Sequence, residues 1–262
     1  LFRSIPRLNI IAITVNAVNT NATAYQIKKR IEEDLTNKYS APNIKVYAGS
    51  DKPFIDYQKE LKDDPILNPY NQKEIDFSNY PREAEGDITD KLSNLASVKI
   101  AEAVRTYEKK LNILTLGPLT NLSLAVLIDS TIKDKFNQLY VAGGSFNNFG
   151  NSGNCAEYNF RADPVASKNV LYYYKNITLL PLEIDLETNV FGLLASIVAT
   201  QPHLIKRKEV RPSDVDITGR LSRGGMIIEK YEYLKTGKLN DVTIVEEVDN
   251  EELNKLAKEY II

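Results

Sequence analysis

The chain has 262 residues, 43% of them hydrophobic, and its 33 basic and 35 acidic side chains leave a net charge of -2. That balance offers no electrostatic case for nucleic acid or an anionic membrane as partner, and a single cysteine, Cys155, excludes an intramolecular disulfide framework and fits a reducing compartment. No apolar run reaches the roughly 18 residues of a spanning helix, and residues 1–6 are too short and interrupted for a secretory leader, so a cytoplasmic location is expected.

In chain order, residues 8–15 (LNIIAITV) are short, apolar and rich in isoleucine, which predicts a buried strand. Ala24, Ile27, Ile31 and Leu35 follow at helical spacing and set one apolar stripe, with Lys28, Lys29, Arg30, Glu32 and Glu33 toward solvent. Residues 45–49 (KVYAG) predict a second strand. Residues 52–94 are polar, with scattered prolines and little periodicity, and read as loops with one short helix. A helix over 96–109 places Ile100, Val104 and Tyr107 on one face. Residues 112–116 (NILTL) predict a strand, and Gly117-Pro118-Leu119-Thr120-Asn121 turns it into a helix, with Thr120 and Asn121 as caps.

The pattern repeats with a strand at 139–142, a helix at 164–174 and a strand at 177–182. Such alternation predicts an α/β fold, a mostly parallel sheet flanked by helices with right-handed crossovers. Residues 214–218, 224–230 and 241–248 read as strands between glycine-containing turns and add a few late antiparallel strands. Asp249 with Glu252 three residues on is a capping box for a last helix carrying Leu253 and Leu256 inward. There is no internal repeat, and residues 1–262 are expected to form one domain.

The most informative stretch is 141–166, VAGGSFNNFGNSGNCAEYNFRADPVA. A Gly-Gly turn ends an apolar run, Asn151, Glu157 and Asn159 follow in a polar loop, and Asp163-Pro164 suits the N-cap and first position of a helix. An α/β protein builds a polar pocket at a strand's carboxyl end in this way. Gly143-Gly144, Gly150-Asn151, Ala156-Glu157-Tyr158-Asn159 and Asp163-Pro164 together resemble the inosine–uridine type of nucleoside hydrolase, a family that cleaves ribonucleosides to ribose and base. Gly219-Arg220-Leu221-Ser222-Arg223-Gly224 is similar to the Gly-x-Leu-x-Arg-Gly run near the end of that family. The resemblance runs from about residue 8 to the terminus, interrupted near 56–85 and after 185.

The resemblance implies hydrolysis of the N-glycosidic bond through an oxocarbenium-like sugar, a role in purine and pyrimidine salvage, and a calcium ion that holds the ribose diol and the attacking water. It places ribose contacts on Asn19, Asn151, Glu157 and Asn159. A carboxylate that only accepts, set between two amides, suits a diol whose hydroxyls both donate and accept. It also assigns one calcium ligand, the backbone carbonyl of Leu116. The family's aspartate-rich motif would precede Leu1, its His-Asp-Pro motif has no counterpart ahead of the helix over 191–202, and Glu85 stands where the family often has histidine. No residue is assigned as catalytic.

Other candidates read as structural. Asp214 and Asp216 fit the exposed face of an alternating strand, and His203, the lone histidine, a surface position. Asp163 reads as an N-cap and Cys155 as a passive filler. Tyr158 reads as core with a polar tip, and Tyr172-Tyr173-Tyr174 as straddling the inner and outer faces of a helix. Two functions stay open: a calcium-dependent ribonucleoside hydrolase whose activity in this chain is weak or lost, and a non-catalytic structural or interaction subunit. The expected partners are a small-molecule ribonucleoside and either a second copy of the chain or a partner that supplies the strand which the resemblance places ahead of Leu1.

Overall fold

Short apolar runs separated by amphipathic segments become strands and helices in the order expected. The structure, a computed structural model, describes residues 8–18, 22–55, 77–84, 87–147, 149–184, 191–229 and 239–261. The first half comprises β1 (Ala12–Val15), α1 (Ala24–Asn37), β2 (Lys45–Ala48), α2 (Ile88–Ser93), α3 (Ala96–Tyr107), β3 (Asn112–Thr115), α4 (Thr120–Ile128) and β4 (Gln138–Ala142). Then come α5 (Tyr158–Ala162), α6 (Pro164–Tyr173), β5 (Ile177–Leu180), α7 (Phe191–Thr200), β6 (Ile205–Val215), β7 (Met226–Ile228), β8 (Asp241–Val248) and α8 (Asn250–Ile261).

Local chemistry sets several boundaries. Thr23 and Gln26 form a reciprocal capping box that starts α1. Asp163 accepts from the Ala166 N–H and Pro164 takes the first position of α6, where a missing N–H is harmless. At α8 only half of the expected box forms: the Glu252 N–H donates to Asp249 Oδ1, but the Asp249 N–H donates to the Leu204 carbonyl.

The described strands form two sheets. One is the parallel pair β1–β2, and the other has the order β3-β4-β5-β8-β6-β7. β3, β4, β5 and β8 run parallel, while β6 is antiparallel to both β8 and β7. All four residues of β5 are buried, as a parallel strand covered by helices on both faces requires. One apolar cluster, with Val104, Leu122, Phe136, Leu171 and Leu179, fills the space between this sheet and the helices α3, α4 and α6. A second, with Leu180, Leu194, Ile197, Val245 and Leu253, lies under α7 and α8. A small third one, with Val15, Ala24 and Val46, serves β1, β2 and α1.

Two strand starts differ from expectation by four residues or more. Residues 8–11 precede β1 without joining it. β6 begins at Ile205, nine residues ahead of the expected 214, and stops at Val215. Its sequence, IKRKEVRPSDV, hides the strand because four of its first six residues are charged and Pro212 breaks the pattern. Pairing with β8 holds it in place, and its proline lies opposite Asp241 at the far end of that ladder.

Candidate functional site

The carboxyl ends of the parallel strands meet on one side of the molecule, where open α/β sheets bind their ligands. Side-chain amides tie these ends together. Asn159 Nδ2 donates to the Ala142 carbonyl at the end of β4 (2.9 Å) and to the Leu116 carbonyl just beyond β3 (3.4 Å). Asn121 Nδ2 donates to the Val15 carbonyl at the end of β1 (2.9 Å), and its Oδ1 accepts from the Ser50 N–H beyond β2 (3.0 Å). Asn16 Nδ2 donates to the Pro118 carbonyl (2.9 Å).

Glu157 sits at the centre of this network, 1% exposed. As the N-cap of α5, its Oε1 accepts from the Asn159 N–H (2.9 Å), and Oε2 accepts from the Phe160 and Gly144 N–H groups (3.2 Å each). Gly144 offers its N–H from a left-handed backbone (φ +79°), a conformation glycine adopts without strain. Burial pushes the Glu157 carboxyl up to about 7, against the opposing pull of the Asn159, Phe160 and Gly144 N–H groups. Asn151 Oδ1 accepts from the Tyr158 N–H (2.8 Å), and Gly150 beside it is indispensable because a Cβ there would lie 1.8 Å from the Ala156 carbonyl oxygen. Asn151, Glu157 and Asn159 are thus brought together on one turn, with Leu116 within reach of Asn159. Asn19 and Glu85 lie outside the described residues.

Residues 1–192 match the family model for inosine-uridine preferring nucleoside hydrolases. The chain belongs to that family. The chain is 39% identical over 83 residues to uridine nucleosidase 1 of Arabidopsis thaliana, covering 32% of the chain and 25% of that protein. It is 24% identical over 207 residues to the inosine-uridine preferring nucleoside hydrolase of Crithidia fasciculata, covering 78% of the chain and 59% of that protein. The chain therefore spans between a quarter and three fifths of the length of these two relatives. In fold it is similar to the solved structure of an inosine-guanosine nucleoside hydrolase, with a TM-score of 0.72 at 20% identity over 98% of this chain and 92% of that one.

Calcium binds six to eight oxygens, several of them carboxylates. Among the described residues no three His, Cys, Asp or Glu side chains come together. The Leu116 carbonyl accepts from Asn159, and the two nearest acids of the turn are already engaged by the fold. Asp163 Oδ2 accepts from Thr120 Oγ1 (2.7 Å) and the Phe54 N–H (3.2 Å), while burial raises its carboxyl above the usual range. The described residues do not fit calcium, and no chemical step is assigned to it.

Several residues do more than their sequence suggested. Thr120 and Asn121 were expected to cap α4, but the N-cap position is Leu119 with no side-chain cap, and both side chains reach instead to Asp163, Val15 and Ser50. Asp214 and Asp216 do alternate with the buried Ser213 and Val215, but they are half-buried and engaged rather than simply exposed. Asp214 Oδ1 accepts from Lys168 Nζ (2.6 Å), and Asp216 accepts from the Ser222 hydroxyl and the Gly219 and Thr218 N–H groups, which lower its carboxyl to about 2.

The loop that Asp216 folds packs back on the site, where Arg161 Nη1 donates to the Arg223 carbonyl (3.2 Å). Glu183 was missed altogether. Its Oε1 accepts from Ser145 Oγ (2.7 Å) and the Asn147 N–H (2.9 Å), pinning the loop after β4 to the end of β5. The available signal was an acid directly following a buried strand. His203 is exposed, Cys155 is half-buried, Tyr158 is half-buried, and Tyr172 is exposed while Tyr174 is fully buried, as expected.

Proposed function

We propose that the crevice at the carboxyl ends of β3 and β4 binds the ribose of a ribonucleoside, and that the chain hydrolyses its N-glycosidic bond slowly, releasing ribose and a free base for salvage. The observation that carries this reading is the convergence of Asn151, Glu157 and Asn159 on one turn of a family member. An ionised carboxylate offers about four acceptor positions, and three backbone N–H groups occupy three of them in Glu157. One remains for a sugar hydroxyl, and a buried carboxylate is well suited to the positive charge that grows on the sugar. The names of the relatives, a uridine nucleosidase and an inosine-uridine preferring hydrolase, support a ribonucleoside as substrate.

Slow turnover follows from the acids. Neither Glu157 nor Asp163 is placed with other ligands to activate a water. A cytoplasmic location, expected from the lone cysteine, belongs to the same reading; among the described residues no helix is long and apolar enough to cross a membrane. The test is release of reducing sugar from inosine, uridine and adenosine, with calcium and with a chelator. Slow release that is indifferent to chelator is expected. Release that is fast and chelator-sensitive contradicts slow metal-independent turnover, and no release from any of the three contradicts hydrolysis.

A further inference from the structure

At the amino ends of β3, β4 and β5, three turns meet around an open depression of about 530 Å³, lined by Glu108, Lys109, Asp134, Lys135, Lys175 and Asn176. Residues 108–111 lead into β3, 133–137 into β4 and 174–176 into β5. β3 and β4 rise about 3.3 Å per residue over four and five residues, so roughly 13 to 17 Å of sheet separates this depression from the crevice at their carboxyl ends.

The backbone here is held out of its ordinary range. Among the described residues the non-glycine positions with positive φ are Ser40, Glu108 and Asn176, and the last two line this depression. Glu108, at φ 44° and ψ -130°, occupies a region that residues with a side chain normally avoid. Main-chain bonds between the turns enforce it. The Leu111 N–H donates to the Glu108 carbonyl (2.9 Å), Asn137 to Leu111 (2.8 Å), Lys175 to Lys133 (2.9 Å) and Leu139 to Asn176 (3.0 Å). Strain of this kind persists where the surroundings over-determine it, and it concentrates at ligand sites.

The charges on this rim are not spent on one another. Among the described residues no ion pair involves Lys109, Lys135, Lys175, Glu108 or Asp134, although Lys99, Lys168 and Lys206 all pair elsewhere. Lys109 Nζ donates to the Asp134 and Phe136 carbonyls, which fixes the ammonium and leaves one of its three N–H bonds. Lys175 Nζ donates to Asn240 Oδ1 and keeps two. Neutralising a helix end does not account for Lys175, because the carbonyls at the end of α6 are met by Asn240 Nδ2, 3.0 Å from that of Leu171 and 3.4 Å from that of Tyr174.

We propose that this depression binds a small phosphorylated sugar. Three ammonium groups suit a phosphate monoester, whose free oxygens are strong acceptors. The Glu108 and Asp134 carboxylates accept from sugar hydroxyls, and the Asn176 amide both donates and accepts. The volume falls within the roughly 300–1,000 Å³ of small-molecule sites and has room for a sugar beside the phosphate. Strain at Glu108 fixes where one of these acceptors stands. The proposal holds whether or not the crevice is catalytic.

The experiment is an NMR titration of the whole chain with ribose 5-phosphate, ribose and inorganic phosphate, read at the backbone amides of residues 109, 134, 135, 175 and 176. Ribose 5-phosphate should give a saturable shift there and ribose none, while phosphate alone should bind at least about tenfold more weakly. Lys135→Glu combined with Lys175→Glu should abolish the shift, with the amides of residues 140–142 and 178–180 unmoved. Glu108→Gly should raise the melting temperature, because glycine adopts a positive φ freely, and should weaken ribose 5-phosphate about threefold or more. No saturable shift with ribose 5-phosphate overturns the proposal. So does phosphate that binds as tightly as the sugar phosphate, which means an adventitious ion only, and so does unchanged affinity in either variant.

Discussion

β1 and β3 differ from β4 and β5 in burial far more than in sequence. AITV and NILT are only somewhat less apolar than QLYVA and ITLL, yet most of the first pair is half-buried and the second is the floor of two apolar clusters. β5 has a strand on either side and helices on both faces, whereas among the described residues β1 and β3 each pair along one edge only. Burial in a parallel sheet is set by what stands beside a strand more than by what the strand contains.

Truncation should separate the two regions most widely. Leu179→Ala in β5 removes a fully buried side chain and should lower stability by about 3 kcal/mol or more, while Ile113→Ala in half-buried β3 should cost about 1 kcal/mol. Urea unfolding of the two variants checks the ratio, and equal losses would erase the distinction between interior and rim.

A similar magnitude attaches to Glu157, in the heavily bonded turn. Its carboxyl is raised from 4.5 to about 7 in the folded state, so between these values the folded chain binds more protons than the unfolded one. Stability should therefore fall as pH rises from 4.5 to 7, by about 3 kcal/mol in total from this group, and stay level above that. Comparing the slopes of unfolding free energy against pH for the parent chain and Glu157→Gln checks it. The variant should lack this slope, and an unchanged slope would assign it to other groups.

Asn121→Ala tests what joins the β1–β2 pair to the larger sheet. It leaves the Ser50 N–H without its partner and removes the bond from Asn121 to the Val15 carbonyl, at about 2 kcal/mol. Hydrogen exchange should show the loss in β1 and β2 ahead of β4 and β5. The smallest effect is expected at Lys168, whose ion pair with Asp214 is partly exposed on both sides. Lys168→Ala should change stability by about 0.5 kcal/mol or less, with the loss shrinking further in high salt.

Much of this was legible in the chain. The alternation of apolar runs and amphipathic stretches yields the parallel sheet directly, and the spacing of Gly143 to Pro164 marks the polar turn. β6 escaped because its outward residues are charged and its partner β8 lies some 30 residues on, so local pattern carries little of its reason to be a strand. Thr120 and Asn121 were misread for a related reason. Their hydrogen bonds run 43 to 106 residues along the chain, and a residue's local sequence says only that it can cap, not that a distant carbonyl will claim it. Glu157 and Asn159 were found as a pair, but their prior commitment to backbone groups became visible only in three dimensions.

The most direct test of a ribose site in that turn is the side-chain amide signal of Asn159, followed by NMR as inosine is added. A saturable shift of that signal, together with the Gly144 and Phe160 backbone amides that share Glu157, is the expected result. No shift at millimolar inosine, with the fold intact, would mean that the Asn151, Glu157 and Asn159 network serves the turn alone.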